Sequence, residues 1–381
     1  MGYPFGSTFD PREAGTTMRP NRIHAEAKPL YGVREDRCRA QSPLTAVRES
    51  LGCQSVEPYY ERQHGCAYLG DSRELLKFVM DDSVNLILTS PPFALTRKKE
   101  YGNKSSEEYV DWFLGFAPGF KRVLTPDGSL VVDLGGAYLP SHPVRSIYQY
   151  ELLVRLCREH GFHLAQEFFH YNPSRLPAPA EWVNVRRIRV KDSVNVVWWL
   201  SKTESPKADN RKVLKPYSES MEQLLKNGYK AKLRPSGHDI SGNFNKQNGG
   251  AIPPNLLEIA NTESNSQYLR RCAETGAKPH PARFPANFAE FFVKFLTDEG
   301  DLILDPFAGS NTTGFVAESL RRDWIAFEIR RDYLEASKLR FSGQMSIFDS
   351  EHTHGKIGEG PASGDRYTGR GRERLERPTA E

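Results

Sequence analysis

Between Cys66 and Glu328 short apolar runs alternate with amphipathic segments, and this alternation restricts the chain to an α/β sheet covered by helices on both faces. A run of about four to eight apolar residues suits a strand buried on both sides, whereas an apolar period of about 3.6 suits a helix with one wet face. The runs are Cys66 to Gly70, Asn85 to Thr89, SLVVDLGG from Ser129, Val194 to Leu200, Asp301 to Asp305 and Trp324 to Glu328. The helices expected among them are Ser72 to Val79 with Ser72 as N-cap, Ser106 to Leu124, Ile147 to His160, Phe288 to Leu296 and Thr312 to Arg321.

The flanks and one interior stretch depart from this pattern. Residues 1–57 are polar and rich in Arg, Pro, Gly and Glu, and residues 346–381 form a basic tail. Both are expected to be mostly disordered, because they cannot bury enough surface to offset their ordering entropy. The core pattern occupies 58–204 and resumes over 279–345. In 205–278 Pro, Gly, Asn and Ser are frequent and the apolar period fades, so an inserted region with its own function is expected there.

Bulk charge says little about partners: 52 basic against 48 acidic residues leave a net +4 in 381 residues. Local clusters say more. Arg97, Lys98 and Lys99, and the run of Arg186, Arg187, Arg189 and Lys191, are placed to neutralise phosphates. Five scattered cysteines form no C-x-x-C pair, so neither a disulfide framework nor a zinc site is expected, and a reducing cytoplasm is the simple reading. No apolar run approaches the roughly 20 residues that span a bilayer, and the N-terminus lacks an export signal.

Two constellations carry chemistry. In the first, the apolar run ending at Asp305 enters Pro306-Phe307-Ala308-Gly309-Ser310-Asn311-Thr312 and then a helix. A glycine at the carboxyl end of a strand lets a ligand approach the backbone, and free N–H groups at the next helix can hold an anion. About 20 residues on, Glu328 ends a further strand, where a carboxylate can accept from ribose hydroxyls. The spacing lacks the Lys-Ser/Thr of a phosphate loop, so a nucleoside is indicated rather than a polyphosphate. In the second, the buried run NLILT ends in Ser90-Pro91-Pro92-Phe93. Paired prolines fix φ and remove two N–H donors, leaving rigid carbonyls beside a hydroxyl and an aromatic plane. That edge can hold an amino group, with Ser90 Oγ and the Pro91 carbonyl taking its hydrogens and Phe93 stacking on an extruded base.

Together, S-P-P-F and D-P-F-A-G-S resemble the motifs of the amino-methyltransferases of DNA, and their order, catalytic motif first, is that of the circularly permuted β class. The stretches TSPPFALTRKKEYGN, YVDWFL, GGAY, RPSGHDI, IPPNLL, HPARFP and GSNTTG resemble the cytosine-N4 members in particular. The resemblance implies a Rossmann-like methyltransferase domain and S-adenosylmethionine as cofactor. It also implies double-stranded DNA as substrate, and a target-recognition region between the motifs, over 205–278. It assigns Ser90, Pro91, Pro92 and Phe93 to the catalytic loop. Asp305, Phe307, Gly309, Ser310, Asn311 and Thr312 fall on the methionine side of the cofactor, Glu328 at its ribose, and Arg283 and Phe284 beside it. Asp71 matches an acidic contact to the adenine part, although a helix N-terminal charge is an equal reading. In the inserted region Arg234, Ser236, His238, Asp239, Asn243, Asn245, Asn248 and Asn255 are suited to reading base edges.

Three alternatives bound this reading. A cytosine-C5 enzyme needs a nucleophilic cysteine, usually after proline, and none of the five follows proline. An adenine-N6 enzyme would use the same geometry, but by resemblance Ser at the first motif position goes with cytosine. An inactive DNA-binding module would not need both Ser90 and Asp305. A companion restriction endonuclease fits the type II restriction-modification setting, and the sequence leaves the oligomeric state open.

Overall fold

The computed structural model describes residues 42–94, 104–227, 247–261 and 266–342. In chain order the elements are α1 (Pro43–Cys53), β1 (Tyr60–Arg62), β2 (Gly65–Leu69), α2 (Ser72–Leu76), β3 (Val84–Thr89), α3 (Ser106–Leu114), α4 (Ala117–Val123) and β4 (Leu124–Leu134). They continue with α5 (Tyr148–Arg158), β5 (His163–Tyr171), β6 (Val194–Ser201), α6 (Glu219–Asn227), β7 (Leu256–Glu258) and α7 (Gln267–Thr275). The last are α8 (Ala286–Leu296), β8 (Leu302–Asp305), α9 (Thr312–Ser319), β9 (Asp323–Glu328) and α10 (Arg331–Phe341).

Among the described residues the strands form one nine-stranded sheet in the order β1-β2-β9-β8-β3-β4-β6-β5-β7. The run from β2 to β4 is parallel, β6 is antiparallel to both β4 and β5, and β7 joins β5 in parallel. The two-sided burial that the apolar runs implied holds: Leu86, Ile87 and Leu88 of β3 and Leu302, Ile303 and Leu304 of β8 are wholly inaccessible. One core layer packs Phe113 and Phe120 against one face, and the other packs Phe288 and Phe292 against the opposite face.

Topology places a crevice. From the adjacent strands β8 and β3, the chain leaves in opposite directions, β8 through α9 to β9 and β3 through α3 and α4 to β4. Such a reversal opens a gap outside the carboxyl ends of the two strands, where open α/β sheets bind ligands.

Several expectations are corrected. The helix expected over 106–124 is two, α3 and α4, because Pro118 sits in the first turn of α4, lacks an N–H and cannot continue a helix begun upstream. The N-cap of α2 is Asp71 rather than Ser72: Asp71 accepts from Arg73 N at 2.8 Å, while the Ser72 hydroxyl donates to the Pro306 carbonyl. Residues 43–53, expected to be disordered, form α1, which buries Leu44, Val47 and Leu51 and is capped by Ser42. Within the described parts of 205–278, where an inserted region is expected, β7 extends the sheet and α7 packs on α10. The basic run 97–99, the residues from Arg234 to Asn245 and the tail lie outside the described residues.

Candidate active site

One cavity of about 460 Å³ occupies this crevice, a size in the range of small-molecule sites of roughly 300–1,000 Å³. Its wall combines the ends of β2, β3, β4, β8 and β9. Asp71, Ser90 to Phe93, Phe307, Gly309, Ser310, Thr312, Glu328, Arg283 and Phe284 all reach it, so segments more than 200 residues apart in sequence converge as the motifs required.

Two of the expected wall residues do not line the cavity. Asp305 is buried at the end of β8, where Oδ1 accepts from Thr89 Oγ1 at 2.9 Å and Phe307 N at 3.1 Å, and Oδ2 accepts from Thr313 Oγ1 at 2.7 Å. It ties β3 to the turn after β8 instead of facing a ligand. Asn311 sits in the left-handed region at φ 53°, caps α9 by accepting from Gly314 N, and donates to the Tyr60 hydroxyl. Short polar side chains suit that conformation, and Asn311 shapes the turn from behind.

Burial lifts the Asp305 carboxyl to about 6, against its three hydrogen-bond donors, which pull the other way. A carboxyl raised above its unfolded value binds its proton more tightly in the folded state, so the contribution of Asp305 to stability is fully present below about pH 4 and is lost as pH rises towards 6. The isosteric Asp305→Asn variant should lack this decline. Urea unfolding between pH 4 and 7 should therefore show a wild-type loss, relative to the variant, of up to roughly 3 kcal/mol. Parallel pH profiles would remove Asp305 as the titrating group.

On the cofactor-like side, Glu328 Oε2 accepts from Gly309 N at 2.8 Å and Oε1 from Arg330 N at 2.9 Å, which fixes the carboxylate at the cavity edge. Burial raises its pKa. Each oxygen keeps a further lone pair for a hydroxyl donor. Gly309 has φ 52°, and a Cβ there would lie 3.2 Å from the His280 ring, so a side chain at this position would be both strained in its backbone and crowded by the ring. Trp112, Phe116 and Phe307 form an aromatic wall with centroids 5.1–5.6 Å apart, and Arg73 lies 5.1 Å above Phe116. Asp71 caps α2, the helix N-terminal role, and also lines the cavity.

On the catalytic-loop side, Ser90 Oγ donates to Asp133 Oδ2 at 3.1 Å. Asp133, near the end of β4, was missed by sequence reasoning. It is 2% exposed; Asn195 Nδ2 also reaches Oδ2 at 3.4 Å, and Arg175 Nη1 holds the Asn195 carbonyl at 2.9 Å. Burial raises the Asp133 carboxyl, opposed by His170, Asn195 and Ser90. Its Oδ1 has no hydrogen-bond partner among the described residues. A lone acid inside LVVDL was the available signal, since such a position is normally apolar. Phe93 lies against Gly135, where any Cβ would meet the ring at 2.6 Å, which explains the glycine in GGAY.

Of the basic run, Arg189 and Lys191 hold loop carbonyls of Pro143, Pro173 and Arg175, while Arg186 stacks on Trp182 at 5.1 Å. Asn255 braces β7 by donating to the Glu167 carbonyl, which occupies a group expected at a base edge. Among the described residues no helix is long and apolar enough to cross a membrane.

Residues 84–339 match the N6/N4 methyltransferase family, described as DNA methylase. The type II methyltransferase M.PvuII of Proteus hauseri is 57% identical over 288 residues, 75% of this chain and 86% of its own length. M.ScaI of Streptomyces caespitosus is 28% identical over 312 residues, 80% of this chain and 89% of its own. The solved structure of PvuII DNA methyltransferase (cytosine-N4-specific) aligns with a TM-score of 0.62 at 50% identity, covering 75% of this chain and 89% of that one.

Proposed function

The chain belongs to the N6/N4 DNA methylase family, and we propose that it transfers a methyl group from S-adenosylmethionine to the N4 amino group of cytosine in double-stranded DNA. The observation that carries this reading is the Ser90 to Asp133 hydrogen bond at the cavity wall. With its hydrogen committed to Asp133, Ser90 Oγ turns its lone pairs outward, ready to accept from an amino group. An exocyclic amine is a poor nucleophile while its lone pair is delocalised into the ring. Two acceptors, Ser90 Oγ and the Pro91 carbonyl, favour the pyramidal nitrogen whose lone pair is free.

The cavity fits the cofactor. Glu328 can take both ribose hydroxyls, the glycine cradle admits close approach at the turn, and the aromatic wall offers a plane for a base. S-adenosylmethionine, when bound, supplies an electrophilic methyl group on a sulfonium. As nitrogen gains that methyl it must lose a proton. Ser90 Oγ can take this proton while passing its own to Asp133, whose burial has already raised its proton affinity. No cysteine and no covalent enzyme intermediate take part. Arg186 and Arg187, with the run at 97–99, would meet phosphates, and Phe93 would stack on the extruded cytosine. As one half of a type II restriction-modification pair, the enzyme would act in the cytoplasm on sites that a companion endonuclease cuts.

DNA from cells expressing the protein should contain N4-methylcytosine on mass spectrometry of its nucleosides. N6-methyladenine alone would keep the enzyme class and overturn the base, and 5-methylcytosine alone would overturn the mechanism.

A further inference from the structure

A buried cation lies beneath the turn after β8. Arg340 of α10 is 7% exposed and is not part of the cavity wall, but Ser310 and Thr312 are. Arg340 Nε donates to the Ser310 carbonyl at 2.7 Å and Nη2 to Ser310 Oγ at 2.8 Å, and its guanidinium lies 4.4 Å from the Tyr268 ring centroid.

A guanidinium has five N–H donors and no acceptor, so Ser310 Oγ must accept in this bond. The serine hydrogen therefore points elsewhere. Thr312 Oγ1 stands 3.4 Å away, and only one hydrogen can lie between two oxygens. The pair carries two hydrogens, and among the described residues no other acceptor takes either. At least one is thus turned into the cavity, with a positive charge behind it in a poorly screened interior. An acceptor-only group with negative charge complements this end of the site, and a carboxylate is such a group.

Building on the cofactor reading above, we propose that Arg340 sets the Ser310 and Thr312 hydroxyl pair to turn a donor into the cavity and thereby makes this end of it the receptor for the carboxylate of the methionine part. Arg340 is a positioning residue that acts through Ser310. Tyr268 of α7 fixes the guanidinium plane, and the Tyr268 hydroxyl also accepts from His280 N at 3.3 Å.

The test compares equilibrium binding of S-adenosylmethionine, its decarboxylated form and adenosine to the wild type, Arg340→Met and Arg340→Lys. Arg340→Met should weaken S-adenosylmethionine at least about tenfold, a typical cost for a lost charge-assisted hydrogen bond. It should leave the two carboxylate-free ligands unchanged, and Arg340→Lys should recover most of the loss. Equal weakening of all three ligands would mean general support of the fold and would overturn the proposal, as would no weakening of any. If Arg340→Met does not fold, Arg340→Gln keeps a donor without the charge. An intermediate loss confined to S-adenosylmethionine supports the proposal, and undiminished binding refutes it. A wild-type protein that binds none of the three would sink the cofactor reading itself, an outcome distinct from the others.

Discussion

Ser90→Ala is expected to lower kcat by about two orders of magnitude or more while leaving S-adenosylmethionine binding intact, because its hydrogen bond strengthens only as the amine changes shape and sheds a proton. Alanine removes both the acceptor for the amino hydrogen and the link to Asp133. Asp133→Asn should produce a loss of similar size with less disturbance, since the amide can still accept from Ser90 but cannot take a proton. The two changes should not add, because each breaks the same relay. The pH profile separates the roles. Burial places the Asp133 carboxyl above its ordinary value, so wild-type kcat should climb through an acid limb displaced upward from that of a free aspartate. Asp133→Asn should lack that limb. Single-turnover kinetics across pH 4 to 8 would read it, and a wild-type acid limb preserved in Asp133→Asn would dismiss Asp133 as proton acceptor.

The second large effect concerns the glycine of the turn. Gly309→Val should weaken S-adenosylmethionine binding by about two orders of magnitude, the combined result of two penalties. A non-glycine residue in the left-handed region costs roughly 1–2 kcal/mol, and more when branched at Cβ. The new side chain also drives into His280, which cannot retreat easily: its ring packs edge-on against Tyr333 at 4.4 Å and its Nδ1 engages the Ala282 carbonyl. Any shift of Gly309 would also pull its N–H from Glu328, so the ribose acceptor would be misplaced as well. Adding His280→Ala to Gly309→Ala should restore the steric part and leave the conformational part. Calorimetry on the single and double variants reads both. Wild-type affinity in Gly309→Val would refute the turn as the cofactor cradle.

The legible parts of the fold were those where one local signal was sufficient. β3, β8 and β9 are short apolar runs, β8 and β9 ending at an acid and β3 running through Ser90 into paired prolines, and burial on both faces leaves no other reading. Where partners decide the structure, the sequence was silent. β5 begins HLAQ, four exposed residues, and becomes a strand because β6 pairs along its whole length. α7 buries only Tyr268 and Cys272, too few for a visible apolar stripe, and it is held by contacts with α10. The same division runs through the site. Motif residues were found by their neighbours in sequence, whereas Asp133 matters only because β4 lies beside β3, and Arg340 only because α10 folds back under the turn. Asp305 and Asn311 show the converse: a motif marks what builds a turn as readily as what touches a ligand.

The two margins of the sheet have a consequence for how molecules of this protein meet one another. β1 and β7 are three residues each, and their side chains are mostly turned to water. An outermost ladder this short presents too few unpaired N–H and C=O groups to recruit a strand from a second molecule. The long apolar strands stay fenced inside: without β1 the margin would be β2, five residues of which four are fully buried. Among the described residues, short margins of this kind blunt edge-to-edge pairing and keep the long apolar strands out of reach of a second molecule.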